Sequence, residues 1–415
     1  MIKNKLFDKK SKKKNNSILK DKFTKFNKND FHTTEVIFLL VLTAIISLIV
    51  GYFLNYKKEE KVTDTNLNKI IDNYNYIVDN YYEDVDKAEL AKGAVKGMLS
   101  SLGDEYSELL EQDDNRSFYI NLEGTYDGIG IEIYNDENNN IVVLGIIENS
   151  PAEKAGLQIG DIIKQIDDKS LENTNIKELT NYVQENKNDT YNLIVVRNGE
   201  EMNITIERQT ITIKSVSSKV IERDNKKIGY IYISVFANAT GSQFKKALQE
   251  LEEQNIDSLI IDVRNNTGGH LTTAVSILSN LLDSKKVIYQ IEKNKKTTKY
   301  YSSGTVTKTY PIVVLQNGNS ASASELLSSA LKESYGATIV GEKSYGKGTV
   351  QELVDLGSDD NYKFTTKKWL TPNGNSINKE GVKPDIEVTL SEEYSANPSD
   401  DNDNQLQEAI NYLLK

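Results

Sequence analysis

The apolar positions of the chain change rhythm several times, and each rhythm predicts a different kind of element. Val36 to Leu54 (VIFLLVLTAIISLIVGYFL) is an unbroken run of uncharged, mostly apolar residues. As a helix rising about 1.5 Å per residue it would match a hydrocarbon core of roughly 30 Å, so the pattern predicts a transmembrane anchor over residues 36–56. The run ends in bulky Tyr52-Phe53-Leu54 and lacks a small-residue cleavage site, which favours an uncleaved anchor over a signal peptide. After a polar linker, Leu67, Ile70, Ile71, Tyr74, Ile77, Val78 and Tyr81 recur at the spacing of an amphipathic helix. A second helix should open at Asp86, with Glu89 three residues on as in a capping box, and stop at Gly103. Residues 57–115 are therefore predicted to be a linker and a helical region.

From residue 120 to 210 the runs become short and β-rich: GIGIEIY, NIVVLGII, DIIKQID, YNLIVVR and EMNITIER, with helical pieces near Pro151 to Gly156 and Asn175 to Asn186. Between 212 and 395 strands alternate with helices. IGYIYISVF, SLIIDVR, PIVVLQN and ATIVGE are nearly continuous apolar runs, as expected of strands buried on both faces. Helical stretches at Thr240 to Gln254, His270 to Leu282 and Ser320 to Ser334 separate them, which predicts an α/β sheet. Residues 396–415 read as an acidic linker and a final helix, Leu406 to Leu414. The fold class is thus multidomain: an N-terminal transmembrane helix, a helical segment, a β-rich domain and an α/β core.

Charge refines this picture. The net charge is −11, yet residues 1–35 hold eleven Lys against Asp8, Asp21, Asp30 and Glu35, so the rest of the chain is strongly acidic. That body is a poor match for nucleic acid. The Lys-rich tail predicts a cytoplasmic N-terminus, with everything after Tyr56 outside the cytoplasm. There is no cysteine, and the two histidines are His32 and His270. Cysteine nucleophiles and thiolate metal sites are excluded, and neither a metal cluster nor a cofactor is predicted.

Candidate chemistry centres on GEKSYGKGTVQ, Gly341 to Gln351, whose start resembles a phosphate-binding loop. Such a loop needs Ser or Thr directly after its lysine and a helix beyond it. Here Gly348 follows Lys347 and TVQELVDL looks extended, so nucleotide binding fails on both counts. The other candidate is NGNSASASELLSSAL, which leaves an apolar strand for a helix, at the edge where open α/β sheets place their sites. A serine at that helix start has free backbone N–H groups beside it, suited to a developing oxyanion. Serine needs a base, and with histidine scarce a buried lysine can serve, because desolvation disfavours the ammonium.

IDVRNNTGG, NSASASE and GKGTVQ, in this order, resemble the signature stretches of the carboxyl-terminal processing peptidases, Ser-Lys dyad proteases that carry a PDZ domain. GTYDGIGIEI, NSPAEKAGLQIGDII and the VVRNGEE turn resemble a PDZ domain in their own right. GAVKGMLSSLGDEYS and GVKPDIEV extend the likeness over about residues 65 to 410. The resemblance implies Ser322 as nucleophile, Lys347 as general base, Gln351 as the residue that orients the lysine, and the N–H groups of Gly268 and Ala323 as the oxyanion hole. It implies that Tyr126, Asp127, Gly128, Ile129, Gly130 and Ile131 bind the carboxylate end of a peptide, which adds a strand to the sheet. The expected partners are C-terminal tails of extracytoplasmic proteins, the membrane, and a second copy of the chain in a homodimer. Ser320 and Ser324 are competing serines that helix capping could explain. Thr267 and His270 depart from the family pattern, and a His270 base remains an open alternative, as does a non-catalytic, membrane-bound PDZ scaffold.

Overall fold

The computed structural model describes residues 37–38, 40–47, 65–110, 119–120, 122–172, 174–355 and 361–415. Residues 1–91 and 92–415 form two separate units. The anchor expected over 36–56 is not upheld, and the single-pass placement loses its support with it. Among the described residues no helix is long and apolar enough to cross a membrane. Of the apolar run, 37–38 and 40–47 are described, and these residues are helical. The rest of the run, the linker up to 64 and the Lys-rich tail of residues 1–35 lie outside the described residues.

Helix α1 (Thr65–Asn80) carries the predicted apolar stripe, none of it buried. Helix α2 (Lys87–Ser100) starts where Asp86 Oδ1 accepts from the N–H groups of Ala88 and Glu89, at 2.9 and 3.1 Å. A short strand β1 (Glu108–Leu110) follows.

The β-rich segment is an antiparallel sheet of β3 (Ile131–Asn135), β4 (Ile141–Ile146), β5 (Ile162–Ile166), β7 (Thr190–Arg197) and β8 (Glu200–Glu207), with β6 (Lys169–Ser170) paired to β5. Short α3 (Pro151–Lys154) and α4 (Ile176–Glu185) close over it, and Ile141, Ile166, Tyr191, Leu193 and Ile206 fill its core. At its base β2 (Thr125–Gly128) pairs with β9 (Gln209–Thr212), so the two chain crossings into this domain are clasped side by side.

The α/β segment is a six-stranded sheet in the order β10 (Val216–Arg223), β11 (Lys226–Ile233), β12 (Ser258–Asp262), β15 (Ile312–Gln316), β16 (Thr338–Gly341) and β19 (Ile386–Glu387). All neighbours are parallel except β10 and β11. Its continuous apolar strands are explained by burial on both faces. Leu259 and Ile261 of β12 face α5 (Thr240–Glu253), α6 (Leu271–Leu278) and α7 (Ala323–Ala330), while Ile260 faces the last helix, α9 (Asn404–Leu414). Helix α8 (Glu392–Ala396) precedes it. A second sheet joins β1, β18 (Asn361–Leu370), β13 (Val287–Lys293) and β14 (Lys296–Tyr301), with β17 (Thr349–Asp355) paired to β18. Through it, β17 and β1 meet at the same strand.

Candidate active site

Three loops leave the carboxyl ends of neighbouring parallel strands: Val263 to His270 after β12, Asn317 to Ser322 after β15, and Glu342 to Gly348 after β16. Side-chain hydrogen bonds bind the first two together. Asn317 Oδ1 accepts from the Asn265 N–H at 3.0 Å, and Asn265 Oδ1 accepts from Asn317 Nδ2 at 2.8 Å. Ser320 Oγ donates to the Val263 carbonyl and Ser324 Oγ to the Asn266 carbonyl, both at 2.7 Å and both buried. These two hydroxyls therefore tie the loops together.

Ser322 stands just before α7 with φ 54° and ψ −111°, a backbone region that costs a non-glycine residue roughly 1–3 kcal/mol and clusters at functional sites. Gly268 lies against it. A Cβ on residue 268, whose φ is 108°, would come within 2.9 Å of Ser322 Cβ and 3.1 Å of the Ala323 nitrogen, so only glycine fits. Ala323 is the first residue of α7 and its N–H has no intrahelical acceptor. The Gly268 N–H, in contrast, is taken up by Asn266 Oδ1 at 2.9 Å in this structure.

Lys347 and Ser322 line one cleft of about 570 Å³, together with Gly268, His270, Thr349 and Gln351. Burial, and after it the nearby Lys363 charge, pushes the Lys347 amine below the ordinary lysine range, against Asp104, Glu108 and Glu325. Among the described residues no hydrogen bond joins the Ser322 hydroxyl to this amine. Nζ lies instead 4.6 Å from the centre of the Tyr106 ring. Gln351 Nε2 donates to Thr349 Oγ1 at 2.9 Å and to Thr365 Oγ1 at 3.0 Å. His270 opens α6 and borders the cleft with Nε2 buried and unpartnered, and burial lowers its pKa.

Glu325 was not anticipated. It is fully buried, and burial raises its pKa against the pull of its hydrogen bonds. Oε2 accepts from the N–H of Ser322 at 2.8 Å and of Lys347 at 2.9 Å. Oε1 accepts from the Gly346 N–H and Ser344 Oγ, both at 2.6 Å. A single carboxylate thus fixes the backbones of both candidate catalytic residues. The sequence carried a usable signal, since Ser322-x-x-Glu325 has capping-box spacing. On the other side, buried Trp369 donates from Nε1 to the Lys347 carbonyl at 2.9 Å.

In the β-rich domain, Tyr126 to Ile131 border a groove of about 140 Å³ whose floor is Ile166, Leu179, Val183 and Leu193. Gly130 has φ 84°, and a Cβ there would meet Ser150 Cβ at 2.3 Å.

Residues 227–388 match the profile of peptidase family S41, residues 142–208 that of a PDZ domain, and residues 52–114 that of the activating protease CtpB N-terminal domain. The carboxy-terminal processing protease CtpB of Bacillus subtilis (strain 168) is 37% identical over 338 residues, which cover 81% of this chain and 70% of that protein. The chain belongs to peptidase family S41. A second relative, the probable CtpA-like serine protease of Staphylococcus aureus (strain COL), is 34% identical over 363 residues, covering 86% of this chain and 72% of its own. Among solved structures, the photosystem II D1 C-terminal processing protease aligns at 27% identity with a TM-score of 0.48, over 77% of this chain and 86% of its own. This S41 peptidase is accordingly a C-terminal processing serine protease by family, with a PDZ domain ahead of its peptidase domain.

Proposed function

We propose that the chain is an endopeptidase that captures the free C-terminal tails of unfolded or loosely folded proteins in its PDZ groove and cleaves them with a Ser322-Lys347 dyad. The observation that carries this reading is the placement of strained Ser322 and half-buried Lys347 in one cleft, with both backbones held by Glu325. Uncharged Lys347 takes the Ser322 proton, and the alkoxide attacks the peptide carbonyl. The N–H groups of Ala323 and Gly268 hold the resulting oxyanion, the latter once Asn266 releases it. The lysine then passes the proton to the leaving amine, and water hydrolyses the acyl-enzyme. Gln351 orients the lysine by accepting from its amine N–H through Oε1, while Nε2 stays on the two threonines. Tyr126 to Ile131, which run from β2 into the start of β3, receive the tail.

Cleavage of unfolded casein by the full chain tests this. Wild type should cut, and Ser322→Ala and Lys347→Ala should fall to background. Lys347→Arg should be equally inactive, since a guanidinium does not deprotonate in proteins. Retained cleavage by Ser322→Ala would show the wrong serine to have been chosen. Wild type that binds tails and cuts none would leave a peptide-binding scaffold.

A homodimer belongs to the same proposal, because α1 presents Leu67, Ile70, Ile71 and Ile77 to solvent, an apolar stripe that a second copy would cover. Sedimentation should give twice the chain mass, and charged residues at Ile70 and Ile71 should return the monomer.

A further inference from the structure

The turn just before β1 bears on the catalytic lysine from outside the three signature loops. Tyr106 sits in this turn with its ring under Lys347 Nζ, 4.6 Å from centroid to nitrogen, and Nζ has no hydrogen bond among the described residues. That distance is within the range of a cation–π contact. The turn is built to hold the ring still. Asp104 accepts from Ser107 Oγ through one carboxylate oxygen and from the Tyr106 N–H at 3.3 Å through the other. Ser107 Oγ then accepts from the Thr365 N–H at 3.0 Å, and Thr365 Oγ1 is one of the two groups that hold Gln351. One short network therefore connects the ring under the lysine to the glutamine proposed to orient it.

We propose that Tyr106 is a positioning residue for Lys347: its ring face is the resting berth of the ammonium, and the amine leaves it for Ser322 after giving its proton to solvent. This rests on the reading of Lys347 as the base. The phenol is not an anionic partner, because burial, Tyr345 and Glu105 all push its ionisation upward, leaving the neutral ring to act through its face. The other charges facing the amine are Lys363 from β18, Glu108 from β1, Asp104 from the turn and Glu325 from α7. Lys363 is engaged by Glu108, so its repulsion of the lysine is partly offset by its neighbour. Tyr106 is the aromatic contribution to this set, and it favours the charged form.

The test is the pH dependence of kcat/KM, which reports the free enzyme, for the full chain on an unfolded fluorogenic substrate. Tyr106→Phe keeps the ring face and should superimpose on wild type. Tyr106→Leu removes it and should move the acid limb to lower pH by about 0.4 to 1.5 units, the size of a cation–π contact expressed as a pKa change. A Leu limb that superimposes on wild type, or a Phe limb that moves as far as the Leu limb, overturns the proposal. Lys347→Ala, measured alongside, separates the two readings: if it remains active the base assignment itself fails, whatever Tyr106 does. If Tyr106→Leu does not fold by near-ultraviolet circular dichroism, ring-fluorinated phenylalanines in place of Tyr106 serve instead. The limb should then step downward with each added fluorine, and an unmoved limb overturns the berth.

Discussion

At the scale of single residues, the site trades stability for chemistry. Lys347 is held below its ordinary pKa mainly by burial, so the unfolded chain binds its proton more readily than the native one. Native stability is penalised in full below the folded pKa, and the penalty fades as pH rises through the window between the folded and the unfolded values. Lys347→Met should therefore abolish cleavage and raise Tm, by about 2–4 °C for each kcal/mol relieved. Calorimetry should show the gain at neutral pH and its disappearance in alkaline buffer. Glu325→Gln should do the opposite of harmless: an amide NH₂ must face one of the backbone donors that the carboxylate now accepts from. Each such buried mismatch costs about 1–3 kcal/mol, so activity should drop at least tenfold, at temperatures where circular dichroism still reports a folded chain. That Ser322, Lys347 and Gly268 come together in one cleft was legible in the sequence, because three short motifs occur in order. Glu325 is less legible because it follows a run of serines in SASASE, although its spacing to Ser322 is that of a helix cap. The engagements of Gly268 with Asn266 and of Gln351 with two threonines involve partners that no motif names.

At the scale of elements, legibility followed burial. Strands β11, β12, β15 and β16 were readable because both faces are covered, which leaves continuous apolar runs. Strand β14, KTTKYY, is exposed along its whole length and carries no alternation to read. Helix α6 is shorter than its apolar pattern suggested, stopping at Leu278, and α7 starts three residues later than expected, at Ala323, before continuing as a π-helical turn over Leu331–Tyr335. The terminal helix matters more than its position suggests. Leu406, Ala409, Ile410 and Leu413 cover Ile228, Ile260, Val313, Leu315 and Val340, and Arg264, at the start of the Gly268 loop, is held between buried Asp262 and Asp403. Removing residues 404–415 should uncover one face of the sheet and give insoluble protein. Asp403→Ala, which leaves the buried guanidinium with one carboxylate, should cost up to about 3–5 kcal/mol in urea unfolding.

At the scale of the whole molecule, the passage from an antiparallel β-rich segment to an α/β sheet was readable from changes of rhythm along the chain. The apolar run at 36–54 was not a safe guide, because length and hydropathy count a sequence of residues and do not establish a continuous helix. Both crossings between the PDZ and peptidase domains are clasped by the β2–β9 pair. The Leu122 carbonyl, just ahead of that clasp, accepts from the Asn238 N–H at 3.1 Å. On the proposed reading, a peptide with a free carboxyl terminus should speed cleavage of a separate reporter, by shifting the population toward the competent arrangement. The same peptide capped as an amide should not, and equal stimulation by both would count against a role for the terminus.

The shared anchoring of two loops on Glu325 bears on any attempt to recombine this enzyme with its relatives. A graft that imports the serine segment while leaving the lysine segment native would pair two strangers across a socket cut for one plug. Exchanges that carry both segments with their own acidic residue should yield working hybrids, and piecemeal ones inert protein.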